Sequence, residues 1–431
     1  MIKRLFTAVR ADSWQFLNHC DVLLVCGDND RGHAFKGKRY AQFIDSIGDL
    51  FSLNGVSSRT VAARFSRFTG VQVYGEPVSM NRVILGIVLG ARLVSLFKGR
   101  IAGENWRKVR ETELWKKVLA KCRPIAVIGI QPDVGLCRAG HELGVKVFDL
   151  QHGMINDTED NPYYWFNNLE KKEAADLPHG FLCWDKSSAE VLFPMAMKKG
   201  VMVRVIGSPW FARFRRPDAR DALVREEMAH SSDINRGLPS ILVTLQYNLS
   251  EYAHDYVPNG VMAACLEQTI VETCNRYLWY LRLHPSQLES AKPIDVAGYL
   301  QKRFGNFPNV EWDQCSRMAL PLLLACVDLH ITHYSATTIE AAWLGVRTGL
   351  IDPHIRPGGK HAKFFEHECT LGLAQTLPFE ATEIKLFIKS ALTQGKPDMS
   401  VEQDYNNLTS FVENIKSDRR NGGGSISGSI I

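Results

Sequence analysis

The apolar run Val327-Asp328-Leu329-His330-Ile331-Thr332 leads into His333-Tyr334-Ser335-Ala336-Thr337-Thr338-Ile339-Glu340 and then into Ala341-Ala342-Trp343-Leu344-Gly345. A strand, a hydroxyl-rich turn and a helix start, in that order, make a cradle for phosphate. Unpaired backbone N–H groups point outward there, the helix dipole adds roughly half a positive charge, and the Ser and Thr hydroxyls supply further donors. Ser335, Thr337 and Thr338 are the candidate phosphate donors beside His333, and Glu340, one helical step inside, is placed to accept from ribose hydroxyls. Ser335 acting as an ordinary N-cap would leave the other hydroxyls and the histidine without a role. Upstream, Arg282-Leu283-His284-Pro285 closes the strand-like stretch Tyr277 to Leu283, and Pro285 stops its ladder. His284 is thereby expected at the carboxyl edge of a sheet, where a ring N–H stabilises a departing phosphate. The third element is Gln151-His152-Gly153, just past Val145 to Leu150. An imidazole titrates near neutral pH, so His152 is a candidate base, and a carboxylate of the loop Asn156-Asp157-Thr158-Glu159-Asp160, Asp157 first, is the alternative.

Asp28-Asn29-Asp30 reads superficially as D-x-D, a carboxylate pair able to hold a divalent cation. Its position so near the start favours a loop on an acceptor side instead, with Asp28, Lys36, Lys38 and Gln151 as acceptor contacts and no metal. The basic, glycine-containing segment His354 to His361 is read as a flap over a donor or as a plain connector.

Short β-rich runs alternate with helical patterns along most of the chain, the signature of parallel α/β sheets. One series comprises Asp21 to Cys26, Pro124 to Ile130, Val145 to Leu150, Gly180 to Trp184 and Met202 to Ile206; a second comprises Ser240 to Leu245, Tyr277 to Leu283, Asn309 to Trp312, Val327 to Thr332 and Thr348 to Ile351. The expected architecture is α/β, with two Rossmann-like domains facing across a cleft and ligand outside the carboxyl ends of the strands. Its divisions are 1–212 for the acceptor domain, 213–236 for a polar linker or surface helix, 237–400 for the donor domain, 401–416 for a helix returning to the first domain, and 417–431 for a disordered Gly/Ser-rich tail.

The 431 residues, 45% hydrophobic and 23% charged with net charge +5, describe a globular protein without a nucleic-acid signature. Neither G-x-G-x-x-G after the first strand nor a Walker A sequence is present, which argues against dinucleotide oxidoreductases and P-loop NTPases. The ten cysteines are scattered without a C-x-x-C, so a disulfide scaffold and structural zinc are not expected. No signal peptide is evident, and the longest apolar run, Val83 to Phe97, reads as a buried helix, shorter than the roughly 20 residues that span a bilayer. The basic run 98–123, with Trp106 and Trp115, is read either as a solvated helix face or as contact with an anionic membrane surface.

Taken together, Gln151-His152-Gly153, then Arg282-Leu283-His284-Pro285, then the Ser/Thr turn with Glu340-Ala341-Ala342-Trp343-Leu344-Gly345 resemble GT-B-fold glycosyltransferases. Within that fold they are similar to bacterial capsule and lipopolysaccharide enzymes, including the Kdo- and sialic-acid-transferring groups with a His-Pro motif. The resemblance implies a metal-independent, inverting glycosyltransferase without a resident cofactor. It would take a CMP-linked or UDP-linked sugar as co-substrate and a glycan or lipid-linked acceptor, in the cytoplasm or at the inner face of its membrane. It also assigns nucleotide phosphate contact to His284, Ser335, Thr337 and Thr338. The Asp/Glu-Asp/Glu-Gly base motif of several sialyltransferases has no clean copy here, so His152 or Asp157 stands in. Teichoic-acid-type polyol-phosphate transferases carry similar His-Gly, His-Pro and Ser-rich segments and are the enzymatic alternative. A GT-B scaffold that only binds a nucleotide sugar or polysaccharide is the other. Non-hydrolysing epimerases share the fold, but their Gly-Gly-x-x-Glu-Glu turn is absent.

Overall fold

The computed structural model describes residues 12–155, 169–229, 237–247, 249, 255–257, 259–288, 295–397 and 402–420. Asp157 and the rest of its acidic loop lie outside them. The chain divides into two compact units: the first comprises the described residues up to 155, 169–215 and 402–420, and the second runs from 216 to 397.

The first unit contains a six-stranded sheet in the order β4-β1-β5-β6-β7-β8, every pairing parallel. Its strands are β1 (Val22–Cys26), β4 (Ser58–Ala62), β5 (Ala126–Gly129), β6 (Lys146–Leu150), β7 (Gly180–Cys183) and β8 (Met202–Val205), beside a small hairpin of β2 (His33–Phe35) and β3 (Lys38–Tyr40). Residues alternate between two buried faces, as they must in a parallel sheet covered by helices on both sides. Val22, Leu24 and Ile128 pack with Ile44, Phe51 and Phe411, whereas Leu23, Val25 and Val127 pack with Trp115, Leu119 and Leu136. The helix Glu402–Arg420 joins this unit through Leu408, Phe411, Val412 and Ile415. The tail expected from 417 therefore begins as helix through Arg420.

The second unit repeats the principle with β9 (Ser240–Thr244), β10 (Leu278–Arg282), β11 (Val310–Glu311), β12 (Leu329–Thr332), β13 (Arg347–Leu350) and β14 (Ala374–Thr376). Their order is β11-β10-β9-β12-β13-β14, again parallel throughout. This is the Rossmann order, with its switch point between β9 and β12, where successive crossovers leave in opposite directions. Trp279, Leu281, Ile331, Leu300 and Phe304 are among its core residues. His330 is a core histidine: Nε2 meets the Thr244 hydroxyl at 2.8 Å and Nδ1 the Thr348 hydroxyl at 3.0 Å, so one ring ties three strands together.

Two expectations change. The polar segment starts later than Arg213, which lies in the last turn of the helix Pro209–Arg215, is buried, and pairs with Asp49 at 3.0 Å; within the segment Ala222–Ala229 is a helix, the second of the two readings. The apolar run from Val83 lies in the helix Asn81–Lys98, of which only one face, with Ile84, Ile87 and Ala91, is buried. Among the described residues no helix is long and apolar enough to cross a membrane.

Candidate functional site

Since β10 and β12 flank β9 in one parallel sheet, the segments after all three leave from the same edge. At about 4.8 Å per strand, the ends of β10 and β12 lie on the order of 10 Å apart. Gln246, just past β9, spans that gap. Its Oε1 accepts from the Tyr334 N–H at 2.9 Å, and its carbonyl accepts from Gln287 Nε2 at 3.1 Å. Gln287 Oε1 in turn accepts from the His284 N–H at 2.8 Å. A continuous hydrogen-bonded path thus runs from His284 to the turn after β12.

His284 is exposed, and its ring lies against Tyr247 with centroids 6.1 Å apart and planes 26° from parallel. Nδ1 accepts from the Ser286 N–H at 3.1 Å, so in the neutral ring Nε2 carries the proton and is a donor. His333 is 2% exposed, and neither of its ring nitrogens has a hydrogen-bond partner among the described residues. Burial pushes its pKa down to about 4 against the opposing charge of Asp352, so the ring is neutral. The buried Thr338 hydroxyl is likewise unpartnered among the described residues. Unmade hydrogen bonds of buried groups are costly, and here two such groups stand at one sheet edge.

The other hydroxyls are engaged. Ser335 Oγ accepts from the Thr337 N–H at 3.2 Å and donates to Thr337 Oγ1 at 3.0 Å, and Thr337 bonds the Glu340 side chain. Burial raises the Glu340 pKa to about 8 despite the nearby Arg282 charge, so this carboxyl is largely protonated at neutral pH. Arg282 spends Nη1 on main-chain carbonyls, those of Cys315 and of Met318, the latter at 2.9 Å. Through Nη1 the guanidinium thus braces the sheet edge. The expected helix is also short, Thr337–Ala342 with Ala336 as N-cap, so its dipole supplies less than a full helix end would.

In the first unit, Asp149, Gln151, His152, Met154, Cys183 and Leu192 line a small recess of about 60 Å³ at the end of β6. His152 does not titrate near neutrality: burial alone pushes its pKa down to about 4. Asp149 takes that position, because burial pushes its carboxyl up to about 7 although Oδ1 accepts from the Gln131 N–H at 2.9 Å. Gln151 is not available to an acceptor. Its amide nitrogen donates to the Gly153 carbonyl at 2.9 Å and Ser188 Oγ at 3.0 Å, and its oxygen accepts from the Trp184 N–H at 2.8 Å. Asp28 likewise anchors a loop, accepting from the Ser66 hydroxyl and from the Arg67 N–H at 2.9 Å. Lys36 and Gly37 form the two-residue turn of the β2–β3 hairpin with φ of 49° and 71°, and Lys38 pairs with Glu76 at 3.8 Å.

Gln246, Tyr247 and Asp149 escaped the reading of the sequence. The signals were present: a polar pair directly after the apolar Ile241 to Leu245, and one carboxylate inside Val147-Phe148-Asp149-Leu150.

No family model and no curated protein matches this chain. Solved structures do. A UDP-GlcNAc 2-epimerase from Neisseria meningitidis bound to UDP-GlcNAc matches with TM-score 0.53 at 14% identity, covering 92% of this chain and 99% of that one. The S. aureus MnaA–UDP co-structure matches with TM-score 0.55 at 10% identity, over 95% of this chain and 100% of that one. A histidine-to-alanine variant of the wall teichoic acid polymerase TagF matches with TM-score 0.54 at 10% identity, over 97% and 94%. At such identities the likeness establishes architecture and nothing finer: the chain has a GT-B-like α/β fold built on two parallel six-stranded sheets.

Proposed function

We propose that the second unit binds the phosphate-bearing nucleotide of an activated sugar, and that the protein is a glycosyltransferase passing the sugar, with inversion, to a glycan or lipid-linked acceptor. The observation that carries this reading is that the His284 Nε2 donor, the unpartnered His333 ring and the unpartnered Thr338 hydroxyl follow strands of one sheet edge, spanned by Gln246. A phosphate is rich in acceptor oxygens, and the two hydroxyl- or imidazole-bearing groups without partners are donors to such oxygens. Structures of similar fold hold UDP-GlcNAc and UDP, which fits a nucleotide ligand here.

In the reaction, an acceptor hydroxyl loses its proton and its oxygen attacks the anomeric carbon. The bond from that carbon to the phosphate oxygen breaks, and the phosphate leaves with the electron pair. His284 and Thr338 answer the charge that develops there; a single oriented donor of this kind is worth about 10²–10³ in rate. The first-unit recess is assigned to the acceptor. Asp149 is the better matched proton acceptor at neutral pH, and His152, uncharged throughout that range, orients the hydroxyl. The chemistry so described needs no metal.

A second reading, transfer of a polyol phosphate with attack at phosphorus, is favoured by the likeness to TagF and uses the same donor edge.

The experiment is a thermal-shift panel of CMP, UDP, CDP and GDP on the wild-type protein and on His284→Ala, followed by product analysis with sugar nucleotides and with CDP-glycerol. One nucleotide should raise the melting temperature in a concentration-dependent way, and His284→Ala should weaken that shift. If none of the four stabilises the wild-type chain, the proposal fails; a product formed only from CDP-glycerol selects the second reading.

A further inference from the structure

The helices Asn81–Lys98 and Arg100–Cys122 form an antiparallel hairpin turned at Gly99, whose φ is +87°. Two glycines let them close together. A Cβ on Gly90 would run into the Trp106 ring, and one on Gly103 would meet the Ala91 carbonyl at 2.7 Å and the Ser95 side chain. The first helix buries Ile84, Ile87 and Ala91, yet Leu89, Leu93 and Leu96, at i, i+4 and i+7, form a stripe on its other face. They are 49%, 57% and 79% exposed, and at the turn Phe97 and Ile101 reach 85% and 76%. Five large apolar side chains together in water form the kind of patch that marks a contact surface.

The charge around this patch has one sign. At the tip Arg100 is paired with Glu104 at 2.7 Å, and Arg92 and Lys98 stand without an ion pair among the described residues. Farther along, the basic run is spent locally: Arg107 pairs with Glu111 at 2.7 Å, Lys108 with Asp176 at 2.5 Å, and Lys116 with Glu113 at 3.0 Å. The apolar side chains and the unpaired cations thus coincide at the hairpin tip rather than along the whole of 98–123. Apposing two copies of the tip would bring like charges together, which disfavours self-association through this face. An anionic surface with an apolar interior satisfies both halves of the patch, the cations over lipid headgroups and the leucines and phenylalanine below them.

We infer that the tip formed by residues 89–101 docks on an anionic lipid bilayer, lying in its surface. This does not depend on the nucleotide reading and is tested without any substrate. The full-length protein is floated with vesicles of phosphatidylcholine alone and of phosphatidylcholine with phosphatidylglycerol. The same is done with Leu96→Ser/Phe97→Ser, with Arg92→Glu/Lys98→Glu, and with Leu386→Ser as an exposed apolar control in the other unit; circular dichroism melts verify folding of each. The wild type should float with the anionic vesicles only, and less at high salt. Each tip variant should lose at least about tenfold in partitioning, since one cation near such a surface is worth about 1 kcal/mol, roughly fivefold, and the charge pair reverses two. Leu386→Ser should bind as wild type does. Failure of the wild type to float, equal flotation with both vesicle types, or undiminished binding by Leu96→Ser/Phe97→Ser overturns the inference. A dimer seen by light scattering that Leu96→Ser/Phe97→Ser dissolves would overturn it too, giving the face to a second copy.

Discussion

Replacing Asp149 by an asparagine removes a carboxyl that is 8% exposed while keeping an oxygen to accept from the Gln131 N–H. Burial raises the folded-state pKa from 3.8 to about 7, so the folded protein holds this proton over a range where the unfolded chain has already released it. Folding stability therefore falls as pH climbs from about 4 to about 7 and is level above that. At about 1.4 kcal/mol per pH unit over roughly three units, the ceiling on this loss is about 4 kcal/mol. The substituted amide does not titrate, so Asp149→Asn should gain on the wild type across that window. His152 pulls the other way: its pKa is lowered to about 4, so its contribution is present above the unfolded value of 6.5 and is lost as pH falls through about 4. That contribution is common to both proteins and cancels in their difference. The assay is urea denaturation of both at a series of pH values between about 4 and 8, compared by midpoint at equal slope. Curves that stay parallel across the window would refute the assignment of a buried, proton-holding Asp149.

Gly103→Ala sets two effects against each other. Helix propensity favours Ala by about 1 kcal/mol, but the new Cβ meets the Ala91 backbone oxygen at 2.7 Å, which cannot yield without splaying the hairpin. A net loss of about 1–2 kcal/mol in thermal melts is expected, and a stabilised variant would show the two helices are not this close. Arg31→Met strands Asp45, with side chains 2% and 1% exposed and 2.9 Å apart, and should cost about 3–5 kcal/mol by urea denaturation; Arg31→Met/Asp45→Asn should recover part of it. Gln246→Leu leaves the Tyr334 N–H without its 2.9 Å acceptor, so about 1–3 kcal/mol of stability should go, together with nucleotide-induced thermal shift. Unchanged nucleotide response in that variant would mean the sheet edge does not depend on this residue.

Local chemistry was enough to find the strands that are long and apolar. Val22–Cys26, Lys146–Leu150 and Leu278–Arg282 are largely buried on both faces, and burial on both faces writes itself as a short, mostly apolar run bounded by turn residues. The edge strands Ser58–Ala62 and Ala374–Thr376 were not legible, because one is polar at its start and the other is three residues long. Motif reading likewise located His284, His333 and the Ser335–Thr338 turn, since strand-to-turn boundaries are local.

What each of those side chains meets is a different matter, decided by residues far away in the chain. Asp28 looked like a ligand-binding carboxylate until Ser66 and Arg67 came to rest on it, and Gln151 until Trp184 and Ser188 did. The shifted acidity of Asp149 and the silence of His152 near neutral pH come from desolvation, which no pattern of neighbours along the chain encodes. Gln246 became the bridge of the donor edge only because β9 lies between β10 and β12. Residue types alone determined which groups are chemically capable and that parallel sheets would carry them. Strand order and burial decided which of them remain available, because hydrogen-bond capacity is finite and charge is costly away from water.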